Sequence, residues 1–239
     1  MKGKNILITG ASKGIGAKTA EYLSGQGATV VLVARNKEKL EKIQDKLSSQ
    51  SYVFLYDFND LESIRSIFDY CAEQGIKLNG MVHCAGVNRD VPIRNNDVGW
   101  MQETFRVNYM SFIELAKNFV RKKYSEDGSS IVAISSYATH IISAGMCTYT
   151  SSKAALEAAV KVMAKEFVKR KIRTNAILPA CVDTEMVVEA PFLEYDSISA
   201  SQPLGLIEPE YISNLAEFLL SDKAKYITGA LIPVSAGLI

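Results

Sequence analysis

Short apolar runs alternate with longer, helix-like segments along the whole chain of 239 residues. The short runs are rich in β-branched and aromatic residues, which favour strands buried on both faces. They predict strands at residues 5–8, 29–33, 52–56, 80–84, 130–135, 173–178 and 230–234. Between them, apolar residues recur with the spacing of an amphipathic helix. This spacing predicts helices at residues 17–24, 37–47, 61–73, 98–124, 148–169 and 209–220.

The alternation of strand and helix predicts an α/β fold with a parallel sheet, because right-handed crossovers place helices on both faces of such a sheet. Seven strands in this order indicate a doubly wound Rossmann fold, and no linker or repeat divides residues 1–239, which predicts a single domain. Doubly wound sheets bind ligands at the carboxyl ends of their strands. The residues predicted at those ends are Gly10, Arg35, Asp57, Gly86, Ser136 and Pro179.

A glycine-rich turn, TGASKGIG, joins the first predicted strand to the first predicted helix. Gly10, Gly14 and Gly16 allow a tight turn and a close approach of the backbone to a ligand. The amino end of the helix offers free N–H groups and a positive dipole end, which suit a pyrophosphate. The spacing GxxxGxG departs from the usual GxGxxG, but its place at the first strand–helix junction favours a nucleotide site over a plain turn.

Arg35 follows the second predicted strand, where NAD-binding folds commonly place an acid for the ribose 2′-hydroxyl. Arg35 and Lys13 could instead reach a 2′-phosphate, which favours NADP over NAD. The alternative is that both are solvated cations, as Lys37, Lys39 and Lys42 on the following helix are predicted to be. Asp57 suits either the adenine or the cap of the next helix.

Tyr149 and Lys153 lie four residues apart in YTSSK, so one helical turn places both on one face. A cation lowers the pKa of a tyrosine from its usual value of about 10, and Lys153, together with an oxidised nicotinamide, is predicted to do so for Tyr149. Carbonyl reduction also needs a group that polarises the oxygen, a role that suits Ser136. The low helix propensity of Asn108 predicts a kink that holds a relay water. Ser136 and Asn108 also fit a plain strand end and an exposed polar position.

Composition narrows the partners. Lys and Arg (27) nearly balance Asp and Glu (26), which argues against nucleic acid or an anionic membrane and favours a small molecule. No apolar stretch approaches membrane-spanning length and the amino terminus leaves no room for a signal peptide, so we expect a cytoplasmic protein. The four cysteines and two histidines lack the spacing of a disulfide framework or a zinc site, which predicts free thiols and no metal.

Together with CAG at residues 84–86 and NAILPACVDTEM at residues 175–186, these motifs resemble the short-chain dehydrogenase/reductase family in its compact single-domain form. The resemblance implies an oxidoreductase that acts on a carbonyl/alcohol pair with a nicotinamide cofactor. It implies that Tyr149 is the acid/base, that Lys153 also binds the nicotinamide ribose, and that Ser136 orients the substrate, with Asn108 supporting the relay. It implies a homodimer or homotetramer, paired through the helices at 98–124 and 148–169. The implied cofactor contacts are Gly10, Ser12, Lys13, Gly14, Ile15, Gly16, Arg35, Asp57, Phe58, Ala85, Gly86, Asn108, Tyr149, Lys153, Pro179, Val182 and Thr184.

The chain departs from the family pattern at the end of the fourth predicted strand, where HCAG stands in place of NNAG. His83 and Cys84 are predicted to be packing or strand residues without a chemical role. The four-residue spacing of Tyr149 and Lys153 disfavours the related enoyl reductases, which place the lysine further along.

Residues 184–206 are predicted to form a substrate lid, which is partly apolar and carries four acids but no Lys or Arg. The alternative is that this segment is merely a soluble loop. Similar 3-oxoacyl-ACP reductases dock an acidic carrier protein on arginines, and Arg170 matches one such position. Asp127 stands where a basic residue would be expected, and an acidic lid would repel an acidic partner. The sequence therefore favours a ketone or secondary alcohol of a free small molecule. The carrier-linked reaction and a non-catalytic NADP-binding sensor or scaffold remain the alternatives.

Overall fold

One parallel sheet organises the molecule, whose computed structural model describes residues 1–188 and 201–238. Within these residues, seven strands pair in the order β3-β2-β1-β4-β5-β6-β7. This order, which reverses direction at β1 and β4, confirms the predicted doubly wound fold. The strands are β1 (Asn5–Thr9), β2 (Thr29–Ala34), β3 (Ser51–Leu55), β4 (Leu78–His83), β5 (Ser125–Ile134), β6 (Arg173–Pro179) and β7 (Leu231–Val234).

Helices connect the strands and cover the sheet. The α-helices among the described residues are α1 (Gly14–Gly25), α2 (Lys37–Gln44), α3 (Arg65–Glu73), α4 (Val98–Phe105), α5 (Ser111–Phe119), α6 (Cys147–Glu166), α7 (Glu185–Val188) and α8 (Pro209–Leu220). Short 3-10 turns occur at Ile93–Asn95, Tyr137–Thr139, Phe167–Arg170 and Asp222–Ala224. None of these described helices combines the length and the apolar character that crossing a bilayer would require.

The core lies in two layers because successive side chains of a strand point to opposite faces of the sheet. In β1, Leu7 packs in one layer with apolar residues of α3, α5 and α6. Ile6 and Ile8 pack in the other layer with residues of α1 and α8. All three side chains are fully buried, so the centre of β1 is apolar on both faces and does not alternate with polar residues.

The region predicted as one helix over residues 98–124 is divided in the structure. α4 passes into a π-helical segment, Arg106–Met110, before α5, which ends at Phe119. Asn108 lies in this segment, where its side chain bonds to the backbone of Val87. Such π segments re-aim side chains and are frequent at functional sites. The kink expected at Asn108 is therefore present as a π turn.

Several other boundaries differ from the predictions by a few residues. The largest difference is in β5, which begins at Ser125 although its first four residues are polar and three of them are exposed. Ser125 pairs with Leu78 before a register shift leads to the regular pairing of Ser130 with Gly80. This pairing depends on the neighbouring strand, which local composition does not report. Of the predicted lid, residues 189–200 lie outside the described part of the chain.

Candidate active site

Two adjoining cavities follow the carboxyl ends of the strands, where β1 and β4 are neighbours. The first, which we call the turn cavity, has a volume of about 320 Å³ and surrounds the glycine-rich turn. The second, the tyrosine cavity, has a volume of about 560 Å³ and is lined by Ser136, Tyr149 and Lys153. The residues that line both are Ile15, Cys84, Gly86, Ile134 and Thr184. The two cavities thus form one continuous cleft.

Glycines shape the turn cavity because side chains would fill it or collide with its walls. Gly10 has a φ of 65°, and a Cβ on it would lie 2.8 Å from the Ala85 backbone nitrogen. A Cβ on Gly16 would collide with the Gly10 carbonyl oxygen. No described side chain caps the start of α1, and its first turn contains no acid. The N–H groups of that turn are thus available to a pyrophosphate, as predicted for this motif.

Charged side chains pair along the rim of the turn cavity. Arg35 and Asp57 approach with Nη1 and Oδ2 separated by 4.0 Å. Glu185 Oε2 lies 3.7 Å from Lys13 Nζ and 3.2 Å from Lys39 Nζ. Lys39 therefore lines the cavity and is not the merely solvated cation that the sequence predicted. Sequence reasoning also missed the contact made by Glu185, because 146 residues separate it from Lys39.

Asp57 lies on the wall of the turn cavity, beside Phe58. Its Oδ1 accepts the Asn59 backbone N–H over 3.0 Å, which forms a local turn. The N–H groups of Glu62 and Ser63 are taken instead by Asp60. Of the two roles left open for Asp57, the position in the cleft suits the cofactor role better than the helix cap.

Tyr149 and Lys153 lie in the first two turns of α6, on one face, as their spacing predicts. Lys153 Nζ lies 5.8 Å from the centre of the Tyr149 ring. It donates a hydrogen bond to the Ile134 carbonyl oxygen over 2.8 Å. The Lys153 side chain is buried, and this desolvation lowers its pKa to about 8.

The Tyr149 pKa is raised, chiefly because burial disfavours the phenolate. A hydrogen bond with the Ser136 side chain lowers the pKa in part, and the charge of Asp90 raises it. The prediction that Lys153 lowers the Tyr149 pKa included the charge of an oxidised nicotinamide and stays a prediction, whereas in the chain by itself the pKa is raised. The Lys153 ammonium donates to the Ile134 carbonyl oxygen, and burial is the largest influence on the Tyr149 pKa. Tyr149 is therefore a neutral phenol at pH 7.

Asn108 is fully buried behind Gly86, next to the cleft. Its Nδ2 donates to the Val87 carbonyl oxygen and to Ser152 Oγ, both over 3.0 Å, and its Oδ1 accepts the Val87 N–H over 2.8 Å. A Cβ on Gly86 would lie 3.4 Å from Asn108 Oδ1 and 3.5 Å from Lys153 Nζ. Asn108 therefore holds the loop after β4 through Val87, and its relay role stays a prediction.

Glu157 belongs to the site but was missed in the sequence. It accepts hydrogen bonds from Ser135 Oγ over 2.6 Å and from Thr139 Oγ1 over 2.8 Å, on either side of Ser136. It is 7% exposed, and its charge raises the Lys153 pKa. The signal was present, because Tyr149, Lys153 and Glu157 recur at intervals of four along one helix face.

His83 is buried at the end of β4, between the rings of Phe58 and Phe112. Its Nδ1 lies 3.0 Å from Thr9 Oγ1, and its Nε2 has no hydrogen-bond partner among the described residues. Burial, aided by the charge of Lys153, lowers its pKa to about 3, so the ring is neutral at pH 7. His83 is thus a packed strand residue. Burial also raises the pKa of the neighbouring Cys84 thiol to about 12.

The remaining predicted residues also lie along the cleft. Those that line the turn cavity are Gly10, Ser12, Lys13, Gly14, Ile15, Gly16, Arg35, Asp57, Phe58, Ala85 and Gly86. Those that line the tyrosine cavity include Pro179, Val182 and Thr184. Across residues 1–188 and 201–238, no group of His, Cys, Asp and Glu has the arrangement of a metal site.

Comparison with known proteins agrees with the fold and the cleft. A family model described as enoyl-(acyl carrier protein) reductase matches residues 10–239. The 3-oxoacyl-(acyl-carrier-protein) reductase FabG of Pseudomonas aeruginosa is 31% identical over all of this chain and 98% of its own length. The sheet, the glycine turn and the Tyr149–Lys153 pair define a dinucleotide-binding α/β oxidoreductase. The chain belongs to the short-chain dehydrogenase/reductase family.

Solved structures show the same relationship. A variant of a short-chain dehydrogenase/reductase from Serratia marcescens has a TM-score of 0.92 and 25% identity, with 99% of this chain and 98% of that chain covered. A short-chain type dehydrogenase/reductase from Mycobacterium ulcerans has a TM-score of 0.88 and 27% identity, with 100% of this chain and 90% of that chain covered. These similarities extend over essentially the whole fold.

Proposed function

We propose that the protein is an NADP(H)-dependent oxidoreductase that interconverts a ketone and a secondary alcohol of a small molecule. The observation that carries the proposal is that Ser136, Tyr149 and Lys153 line one cavity, which opens into the turn cavity. A proton donor and an oxygen-orienting hydroxyl thus lie beside a site shaped for a dinucleotide. A reduced nicotinamide bound in the cleft supplies the hydride.

The chain offers a distinct set of groups to each part of the cofactor. The N–H groups at the start of α1 suit the pyrophosphate, and Lys13 and Arg35 suit a 2′-phosphate. Pro179, Val182 and Thr184 line the end of the cleft that contains Tyr149, which suits the nicotinamide half. Gly10 has a positive φ and lies so close to the Ala85 backbone that no side chain fits, so the backbone of the turn itself faces the ligand.

Tyr149 and Lys153 provide the proton that reduction consumes. Because burial raises the Tyr149 pKa, the phenol keeps its proton at pH 7 and can donate it to a carbonyl oxygen that Ser136 orients. Lys153, with a pKa of about 8, is mostly protonated at pH 7 and exchanges protons more readily than an ordinary lysine. It therefore suits the return of a proton towards Tyr149.

The charges on the rim of the turn cavity support NADP over NAD. The support is weaker than two unpaired cations would give, because Lys13 and Arg35 are each paired with an acid. Lys13, Arg35 and Lys39 carry three positive charges, while Asp57 and Glu185 carry two negative charges. One positive charge is left over, and the arginine fork matches a phosphate. A 2′-phosphate would thus enter a rim of net positive charge.

Arg170 bears on the choice between a free and a carrier-linked substrate. Its Nη2 donates to the Ser125 carbonyl oxygen over 2.7 Å, and its Nε donates to Asp127 Oδ1 over 2.8 Å. The side chain is only 14% exposed. Its charge is neutralised by Asp127 and its donors are used within the fold. This arrangement disfavours the docking of an acidic carrier and supports a free small molecule.

A second candidate is the reduction of carrier-linked 3-oxoacyl groups, which the name of the FabG relative supports. The family model is described as an enoyl reductase, but the four-residue spacing of Tyr149 and Lys153 on α6 favours a carbonyl substrate. The non-catalytic sensor is the weakest candidate, because Ser136, Tyr149 and Lys153 line one cavity and Asn108 is retained beside it.

The test is oxidation of NADPH with three substrates: free ketones, a carrier-linked 3-oxoacyl thioester and a carrier-linked enoyl thioester. We expect turnover with free ketones to exceed the other two. Tyr149→Phe should lower kcat at least about hundredfold and keep NADPH binding. Tyr211→Phe, which changes an exposed tyrosine of α8, is the control. Faster turnover of the 3-oxoacyl thioester would establish the second candidate, and equal rates in Tyr149→Phe would remove Tyr149 as the acid.

The assembly and the compartment stay predictions from the sequence, namely a homodimer or homotetramer in the cytoplasm. Light scattering on the purified chain measures the first. Fractionation of cells that express it measures the second.

A further inference from the structure

Glu185 stands out because one carboxylate oxygen serves two lysines across the turn cavity. It opens α7 directly after Thr184, whose Cγ2 would lie 3.3 Å from a Cβ on Gly14. The start of α7 is therefore packed against the glycine-rich turn. From this position, Oε2 reaches Lys13 Nζ at 3.7 Å and Lys39 Nζ at 3.2 Å.

The two lysines converge as they would around a bound anion. They come from separate elements, the first turn after β1 and the helix α2, and both line the cavity together with Arg35 and Asn36. Two ammonium groups directed at one oxygen form an anion site, and Glu185 fills it from within the chain. The lysines in turn hold the pKa of Glu185 below its ordinary value, so this carboxylate is charged at neutral pH.

We propose that Glu185 is a specificity-determining residue that occupies Lys13 and Lys39 as an internal anion and competes with the cofactor 2′-phosphate for them. The identity of the cofactor rests on the proposed function, but the competition itself is a property of binding. NADH leaves the Glu185 pairs intact, whereas NADPH must exchange them for contacts to its phosphate. Glu185 therefore weakens the binding of NADPH but not that of NADH, and so reduces the difference in affinity between the two cofactors.

The exposure of these side chains limits the size of the effect. Lys13, Lys39 and Glu185 are each between 42% and 48% exposed, so water and salt screen the pairs. We expect removal of the Glu185 charge to tighten NADPH binding about three- to fivefold, with the gain shrinking as the salt concentration rises. Binding of NADH should change less than about twofold.

The experiment measures dissociation constants of NADPH, NADH and 2′,5′-ADP by calorimetry, for the wild type and Glu185→Gln. Asp183→Asn is the matched control, because Asp183 is exposed two residues earlier and forms no ion pair with a described residue. It should leave the NADPH/NADH ratio unchanged. Lys39→Gln is the second variant and should weaken NADPH and 2′,5′-ADP more than NADH.

The proposal is overturned if Glu185→Gln changes the dissociation constants of NADPH and NADH by the same factor or weakens NADPH binding. It is also overturned if Asp183→Asn changes the NADPH/NADH ratio as much as Glu185→Gln does. Loss of selectivity in Lys39→Gln supports it independently. Its failure is distinguishable from that of the proposed function, because wild-type turnover of ketones tests only the latter. If the protein binds both cofactors but turns over no ketone, the binding data still test the competition between Glu185 and the 2′-phosphate. If the protein binds no NADPH, both this proposal and the proposed function are refuted.

Discussion

Lys153 donates a hydrogen bond to the backbone carbonyl oxygen of Ile134 over 2.8 Å, which anchors α6 to the end of β5. The carbonyl is neutral, so the ammonium lacks the full counter-charge that its burial demands. Burial accordingly lowers the Lys153 pKa to about 8. The fold thus bears a cost for a charge placed beside Tyr149, which is the usual pattern at functional sites.

That cost predicts a pH-dependent stability. The Lys153 pKa is about 8 when folded and near the ordinary lysine value of 10.5 when unfolded, so between these pH values the unfolded chain binds more protons. The free energy of unfolding should therefore rise with pH through this window, and the full cost is present below pH 8. Lys153→Met should stabilise the protein at pH 7 by about 1–2 kcal/mol and remove the rise.

Urea unfolding at several pH values measures this effect. Lys161→Met, which replaces an exposed lysine of the same helix, should keep the wild-type dependence on pH. A Lys153→Met protein with an unchanged slope above pH 8 would contradict the prediction.

The buried His83 leads to a prediction for the stability of the protein at acidic pH. Its pKa is about 3 when folded, against an ordinary 6.5, so the unfolded chain binds the extra proton between these values. Stability should fall as the pH drops through this window, by about 3 kcal/mol between pH 6.5 and 4. His83→Asn should remove most of that loss. His140→Asn changes the other histidine of the chain, which is exposed, and should preserve it. Denaturant titrations at pH 7, 5 and 4 measure the loss. If both variants lose the same stability in acid, His83 is not its cause.

The glycine-rich turn predicts a contrast between two alanine substitutions in α1. A methyl group on Gly16 would collide with the Gly10 carbonyl oxygen, whereas one on Gly25 meets no atom within 4 Å. Gly16→Ala should cost about 2 kcal/mol or more and abolish cofactor binding, because the backbone of the turn must move. Gly25→Ala should be neutral or slightly stabilising. Thermal unfolding with and without NADPH measures both, and normal NADPH binding by Gly16→Ala would disprove the steric account.

We expect two substitutions of Glu157 to differ in their effect on stability, because one removes only the charge and the other also removes the hydrogen-bond acceptor. Glu157→Ala leaves the hydroxyls of Ser135 and Thr139 without their acceptor and should destabilise the protein by about 2 kcal/mol. Glu157→Gln retains a carbonyl oxygen and should cost less. Because Glu157 raises the Lys153 pKa, both variants should shift the basic limb of the kcat profile to lower pH. A profile that does not move would confine Glu157 to a structural role.

Much of the fold could be predicted from local sequence. The run Thr29–Ala34 is apolar and β-branched and is buried on both faces, so composition alone locates β2. The polar start of β5 could not be predicted, because Ser125 is a strand residue only through its pairing with Leu78. The break at Asn108 was suggested by propensity, but its form as a π turn depends on the Val87 backbone to which Asn108 bonds.

The sequence by itself determined the order of the elements, the glycine turn and the face shared by Tyr149 and Lys153, because turn geometry and helical spacing depend on residues close in the chain. Tertiary structure alone decided which charges meet across the cleft, as with Lys39 and Glu185. It also decided that burial raises the Tyr149 pKa in the chain by itself, which the spacing of Tyr149 and Lys153 did not reveal. Desolvation depends on the surrounding atoms in space, and those atoms come from strands and helices far apart in the chain.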